Sequence, residues 1–334
     1  MNFSLRGIST ALNAQVLSLL QEAVQICWKL FRIMIPVMLL VKILVELGWV
    51  TYLAMPLKPA MQLVGLPAEM GLVWATAMLD SYYSSIVVLL SLSETTPLSV
   101  AQMTVLGSMI LICHGLPVEV KIAQASGNRF FFQFLIRLVC AFGLGLLLHH
   151  IYSSGNWLQD HNTIFWQQDI GGKPTLPGWA LNQAQNLLAI FGIILLLVTL
   201  MRLLKFLRLI DLFNWMLTPL LRLLNIGKEA GTLTIIGMTL GLSYGGGLII
   251  HEAKSGRAGP RDVFASVTMM GLAHGLIEDT VVMAMLGAHL SGILLARLLF
   301  ALLTVALLMR LLPRLSPKIV HRFFYRLPQT APLD

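Results

Sequence analysis

The sequence predicts an all-α polytopic membrane protein made of two inverted-topology repeats, each with three transmembrane helices and one re-entrant helical hairpin. Three observations lead there. The first is composition: 57% of the 334 residues are hydrophobic and 11% are charged, with a mean hydropathy of +0.81, against about 45–50% and 25% in ordinary soluble domains. So little charge cannot cover a soluble fold of this size, and the same figures exclude disordered, collagen-like and disulfide-scaffold classes. The second is a set of apolar runs long enough to cross a bilayer. The third is an internal repeat at one fixed spacing.

Residues 1–29 read as an amphipathic helix lying at the membrane interface. Leu12, Val16, Leu19, Leu20, Ala23, Cys27 and Leu30 recur at helical spacing, with Asn13, Gln15, Ser18, Gln21 and Glu22 between them. No cleavable signal pattern is expected. The first repeat is 30–152. A span needs about 20 mostly apolar residues; 30–50 and 129–152 qualify outright, and 100–123 does so with polar residues near its centre. Residues 70–92 carry Asp80-Ser81-Tyr82-Tyr83-Ser84-Ser85 in mid-run. A polar centre inside an apolar run predicts a re-entrant hairpin, tipped by Asp80, Tyr82, Tyr83 and Ser84. Residues 153–182 form a polar linker, expected outside. The second repeat, 183–312, has spans at 184–204 and 290–312, an interrupted one at 262–284, and a hairpin over 231–250 tipped by Ser243, Tyr244, Gly245 and Gly246. Residues 313–334 are a basic cytoplasmic tail. Cys27, Cys113 and Cys140 lie in apolar runs without CxxC spacing and read as packing residues.

Charge placement sets the orientation. The net charge is +8. With six full spans, two re-entrant hairpins and both termini cytoplasmic, Arg129, Arg202, Arg208, Lys254, Arg261, Arg314 and most other basic residues fall inside, and only Lys58 and Lys173 outside. Counting the hairpins as full spans would put the basic stretch 202–228 outside, against the positive-inside rule. The basic excess is therefore a topology signal and implies no nucleic acid. Trp28, Trp49, Trp157 and Trp179 sit near span ends, as interfacial anchors do.

The repeat appears when the chain is slid by 160 residues without gaps. Pro59 meets Pro219, Glu69 and Gly71 meet Glu229 and Gly231, and His114-Gly115-Leu116 meets His274-Gly275-Leu276. Glu119 meets Asp279, Gly127 meets Gly287, and Arg137 meets Arg297. Histidine and proline are scarce enough here for shared matches to be informative. Three spans per copy is an odd number, so the second copy enters the membrane from the opposite side, the arrangement many secondary transporters use for alternating access.

The best candidates for chemistry are the two repeat-related interruptions, His114-Gly115-Leu116-Pro117-Val118-Glu119 and His274-Gly275-Leu276-Ile277-Glu278-Asp279. Gly and Pro weaken the helix there and free backbone groups. Ionisable residues inside a membrane are costly and face the protein interior, so His114, Glu119, His274, Glu278 and Asp279 are the expected substrate or ion contacts. His274 and Glu278, at i and i+4, would share a helix face. The bland reading pairs Arg137 with Glu119 and Arg297 with Asp279 to lock adjacent helices, and it is preferred for the arginines. Glycines at the second hairpin tip either admit a close backbone approach or pack helices together. Glu69 and Glu229 open the hairpins and complement helix dipoles. No P-loop, HExxH or dinucleotide fingerprint is present, so no enzyme is expected.

Two copies of a hairpin with a Ser/Tyr/Gly tip, an interrupted helix and a plain span resemble the nucleoside-recognition, or Gate, domain family. Its relatives include gate segments of concentrative nucleoside transporters, the membrane domain of bacterial ferrous-iron transporters and spore-maturation membrane proteins. The resemblance covers about 40–150 and 200–310 and implies a bacterial inner-membrane protein concerned with transport. The chain departs from the iron transporters in lacking a GTPase domain, and Cys113 beside its His motif has Ala273 as its repeat mate. The expected function is secondary transport of a small polar solute, nucleoside-like by the resemblance, with no cofactor beyond a coupling ion. A divalent-metal permease and a non-transporting scaffold or regulatory subunit are the alternatives. The expected partners are the lipid bilayer and the solute, with a homo-oligomer or a membrane partner subunit left open.

Overall fold

The computed structural model describes residues 5–93, 95–164, 176–222, 224 and 226–326. Residues 165–175 of the expected linker, with Lys173, and the tail beyond Arg326 lie outside the described residues. Among those described there is no strand, only the isolated bridges Ser99–His161 and Asn128–Tyr325. The first half contains α1 (Leu5–Glu46), α2 (Trp49–Ala54), a 3-10 turn (Met55–Leu57), α3 (Lys58–Leu63), α4 (Met70–Leu79), α5 (Tyr82–Ser93), α6 (Val100–Ile112), α7 (Leu116–Ala125) and α8 (Phe130–Ser154). The second contains α9 (Leu176–Phe206), α10 (Leu209–Arg222), α11 (Lys228–Leu240), α12 (Leu242–Ser255), α13 (Pro260–Ala273), α14 (Glu278–Met285), a π turn (Ser291–Ala296), α15 (Arg297–Leu311), a 3-10 turn (Leu312–Arg314) and α16 (Pro317–Phe323).

Among the described residues, five segments are long and apolar enough to cross a membrane: Val100–Ala125, Phe130–Ser154, Leu176–Leu204, Pro260–Met285 and Ser291–Arg314. They match five of the six expected spans, and the chain is an all-α polytopic membrane protein. The sixth differs. α1 runs unbroken through residue 30, and the chain then turns by 104° between Met38–Glu46 and Trp49–Leu63. α1 packs antiparallel to α9: Glu22 and Ser18 receive Arg202 at 2.6 and 2.8 Å, and Lys42 sits 5.6 Å from the Trp179 ring centroid. Ala23 and Cys27 are buried. The second half of the expected interfacial helix therefore belongs to the packed body, and residue 29 marks no boundary. Its polar stripe is explained by Arg202, which the sequence placed at the same membrane face.

In the two expected hairpins the turn falls at the start of the first expected tip, at Asp80, and just before the second. α4 and α5 break at Asp80–Ser81, and α11 and α12 break at Gly241, φ +92°. Tyr82, Tyr83 and Ser84 thus occupy the first turn of α5, and Ser243 to Gly247 the first turns of α12. The side chains of Ser243 and Tyr244 lie outside the described part of the structure, as does that of Glu229. Gly245 meets Gly237 backbone to backbone, so that a Cβ at Gly245 would lie 2.9 Å from the Gly237 nitrogen. Gly246 faces Ile122 on α7. These two glycines serve close helix packing, and neither forms a tip.

Helix ends group at two ends of the body. At one, Tyr152 and Ser291 hydroxyls lie 2.7 Å apart, the Asn162 amide donates to Leu286 O at 2.9 Å, and Ser99 bridges His161. At the other, Asn128 bridges Tyr325 and Arg129 donates to His321 O at 2.7 Å. α6 starts at the first end. α13 starts at the second, where Pro260 and Val263 line a surface pocket with Gly127 and Arg326. All three cysteines are free and buried.

Candidate functional site

Each interrupted span breaks in the same way. α6 ends at Ile112, Gly115 takes a left-handed φ of +57°, and α7 begins at Leu116. α13 ends at Ala273, Gly275 takes φ +58°, and α14 begins at Glu278. Only glycine adopts this backbone without strain. A helix broken inside a membrane leaves carbonyls that must find donors within the protein. The arginines supply them. Arg137 donates from Nε to Ile112 O and from Nη2 to His114 O, both at 2.9 Å. Arg297 donates to Leu272 O at 3.1 Å and His274 O at 2.7 Å. Both side chains are almost wholly buried. The histidines add one bond each: His114 Nδ1 lies 3.0 Å from Ile110 O, and His274 Nδ1 2.9 Å from Met270 O. All six contacts recur at the 160-residue spacing of the sequence repeat. Other backbone features recur too: Gly48 and Arg208 are left-handed at φ +68° and +55°, each between a long helix and a shorter one.

The two breaks face each other. His114 Nε2 and His274 Nε2 are 3.2 Å apart. Glu119 Oε1 lies 3.5 Å from the first and 3.2 Å from the second, while its Oε2 pairs with Arg137 Nη1. The Tyr82 ring meets the His114 ring edge-on, centroids 5.3 Å apart. Tyr83 donates to Glu278 Oε1 at 3.0 Å, with Tyr82 at 3.4 Å from the same oxygen. The first hairpin is therefore tied to the second interrupted span. Asp80 is held by Ser81 and Ser84 at the start of α5.

The structure thus brings together His114, Glu119, His274, Glu278, Asp279, Tyr82 and Tyr83 with both arginines. Two expectations change. Glu278 does not share a face with His274, because the chain leaves the helix between them, and its carboxylate goes to the tyrosines. The pairing of Arg137 with Glu119 is present, but among the described residues Arg297 and Asp279 form no ion pair within 4 Å. Aspartate is one methylene shorter than glutamate, and Asp279 folds back over Gly275. Asp279 Oδ2, Thr280 Oγ1 and Arg297 Nη1 are left buried without hydrogen-bond partners. Asp279→Glu is expected to restore the reach seen at Glu119, closing a charged pair on Arg297. A hydrogen bond to a charged group contributes about 1.5–3 kcal/mol, so detergent-solubilised protein should melt several degrees higher; an unchanged or lower Tm would show that Asp279 is not aimed at Arg297.

Sequence reasoning missed the capping role of the arginines and the buried bond from Gln133 Nε2 to Thr268 Oγ1, 2.9 Å. Gln133 is four residues before Arg137, on the same face of α8, and that spacing was the available signal.

His114, His274 and Asp279 present ligand atoms within 4.8 Å of one another. Glu119, Glu278 and Asp279, with Asp80 at the first hairpin, outnumber Arg137 and Arg297, so the formal charge around the cluster is negative.

No protein-family model matches the chain, and no solved structure does. The chain is similar to an uncharacterized membrane protein, YvoD, of Bacillus subtilis (strain 168): 27% identical over 283 residues, which are 82% of this chain and 87% of that protein. Its apolar spanning helices and this relative make the chain a multi-pass membrane protein.

Proposed function

We propose that the chain is a secondary transporter of a small polar solute in a bacterial inner membrane, with both termini cytoplasmic. Its halves are inverted copies that alternate access to a site around His114, Glu119, His274 and Asp279. The observation that carries this reading is the meeting of two broken spans at a buried ionisable cluster. Interrupted helices with charged groups at membrane depth are how many secondary transporters build substrate and ion sites. The opposite starting ends of α6 and α13, and the capping bonds shared at one spacing, support the inverted relation.

Asp279 Oδ2, Thr280 Oγ1 and Arg297 Nη1, buried beside the histidines, are atoms that a bound solute would pair with. The pattern shared with Gate domains supports a nucleoside-like solute.

The test is uptake by purified protein in liposomes across a panel of nucleosides, organic anions and metal ions. At least one solute is expected to enter well above protein-free vesicles, and a His114→Ala, His274→Ala double variant that still folds should lose that uptake. No uptake of any panel member under proton or sodium gradients would overturn the proposal and favour the scaffold.

A further inference from the structure

The contact between the two histidines has a hydrogen count that neutral rings cannot meet. Ile110 O and Met270 O are backbone carbonyls and can only accept. His114 Nδ1 at 3.0 Å and His274 Nδ1 at 2.9 Å must therefore both carry hydrogens. A neutral imidazole has one N–H, so both Nε2 atoms would then be bare lone pairs facing each other at 3.2 Å. Three contacts need three hydrogens, and two neutral rings bring two. One additional proton completes the set: one Nε2–H donates to the other Nε2, and the two rings together carry a single positive charge. A second additional proton would point two N–H groups at each other, with Glu119 Oε1 as their one shared acceptor.

We propose that His114 and His274 bind one proton between them, and that this proton is the tie holding the two interrupted spans together. The groups facing the pair favour a positive charge on it. Glu119 Oε1 touches both Nε2 atoms from α7. Arg137 from α8 and Arg297 from α15 are engaged with the broken-helix carbonyls around the rings. Asp279 and Glu278 stand at the start of α14, with Glu278 taken by Tyr83. From the first hairpin Tyr82 presents its ring to His114, and Asp80 is held by its own serines. Four carboxylates against two guanidinium groups make the surroundings net negative, which favours a positive charge on the pair. When the proton leaves to water, each ring keeps its Nδ1 hydrogen and both become neutral. Two lone pairs then oppose each other, and the breaks at Gly115 and Gly275 have lost the bond between them. The inference stands apart from transport, since a scaffold could hold the same proton.

The test uses full-length protein with ¹⁵N-labelled histidine in nanodiscs. The expected result is a pair of Nε2 resonances coupled to each other through the hydrogen bond at neutral pH, with both Nδ1 atoms protonated. The coupling should be absent from His114→Gln and from His274→Gln. A second readout is the distance between spin labels at Lys121→Cys and Ala284→Cys, exposed positions on α7 and α14. It should lengthen at alkaline pH in the otherwise native protein. In His274→Gln, whose amide donates to His114 Nε2 at any pH, it should stay constant. Uncoupled, unprotonated Nε2 atoms throughout the folded pH range would overturn the proposal, as would about one equivalent of metal that both Gln variants lack. A label distance that ignores pH in the native background would overturn the tie. The native-background measurements decide the matter even if a Gln variant fails to fold.

Discussion

Arg137→Met is expected to destabilise the folded protein by about 3–5 kcal/mol, the range for stripping one member from a buried charged pair. Met keeps most of the apolar stem, so little of the loss comes from packing. What disappears is the Glu119 ion pair and the donors to Ile112 O and His114 O. The Glu119 carboxylate is then left with the two histidines alone, and two helix-end carbonyls lose their donors at membrane depth, where water does not replace them. Arg297→Met removes the same two kinds of carbonyl bond but no ion pair, and should lose less. Thermal unfolding of both variants in one detergent checks this order. Equal losses would mean that the Glu119 pair contributes nothing measurable.

Gly245→Leu is expected to be the most damaging glycine substitution in the second hairpin. Its hydrogen faces the Gly237 backbone, and a Cβ there would also lie 3.0 Å from Met270 Sδ. A backbone neighbour cannot rotate away as a side chain can, so α11 and α12 must separate. Overpacking typically destabilises by about 1–3 kcal/mol, and parting two helices along their contact should reach the upper end. Gly247→Leu is the control, because nothing lies within 4 Å of a Cβ at that position. It should be neutral or slightly stabilising, since Leu favours a helix over Gly by close to 1 kcal/mol. Melting temperatures and the monodispersity of purified protein read both out, and similar behaviour of the two variants would refute a packing role for Gly245.

Much of this arrangement was legible in the sequence because its signals are long or scarce. An apolar run of 25 residues, as in α8, has few readings other than a span. Two His-Gly-Leu motifs at the spacing of two lone membrane arginines pointed to related breaks, and the breaks, their glycines and their arginines occur there. What was not legible depends on partners distant in sequence. The polar stripe of Ser18 and Glu22 fits a helix floating at an interface as well as one meeting Arg202, and only the fold distinguishes them. The glycine run 245–247 looks like a loop, yet glycine serves close packing and tight turning alike; the turn fell on Gly241. The arginines were matched to carboxylates by charge sign. Broken-helix carbonyls compete for the same donors, and they hold Nε and Nη2 of both side chains. Whether the remaining nitrogen reaches a carboxylate then turns on one methylene, present in Glu119 and missing from Asp279.

The left-handed residues Gly48 and Arg208 have a mechanical consequence. α1 and α9 run antiparallel, so the segments after these kinks lie at opposite ends of the pair. Each carries large apolar side chains outward: Trp49, Tyr52 and Leu53 on one, and Leu212, Trp215 and Met216 on the other. Amphipathic rings and aliphatic groups of this kind seat themselves at the boundary between headgroups and acyl chains. Side chains so placed would moor the protein to both leaflets, one segment to each. Each segment is joined by a short kink to a helix of the packed bundle. A bilayer that thins or thickens would pull these moorings together or apart, and the strain would enter α1 and α9 directly.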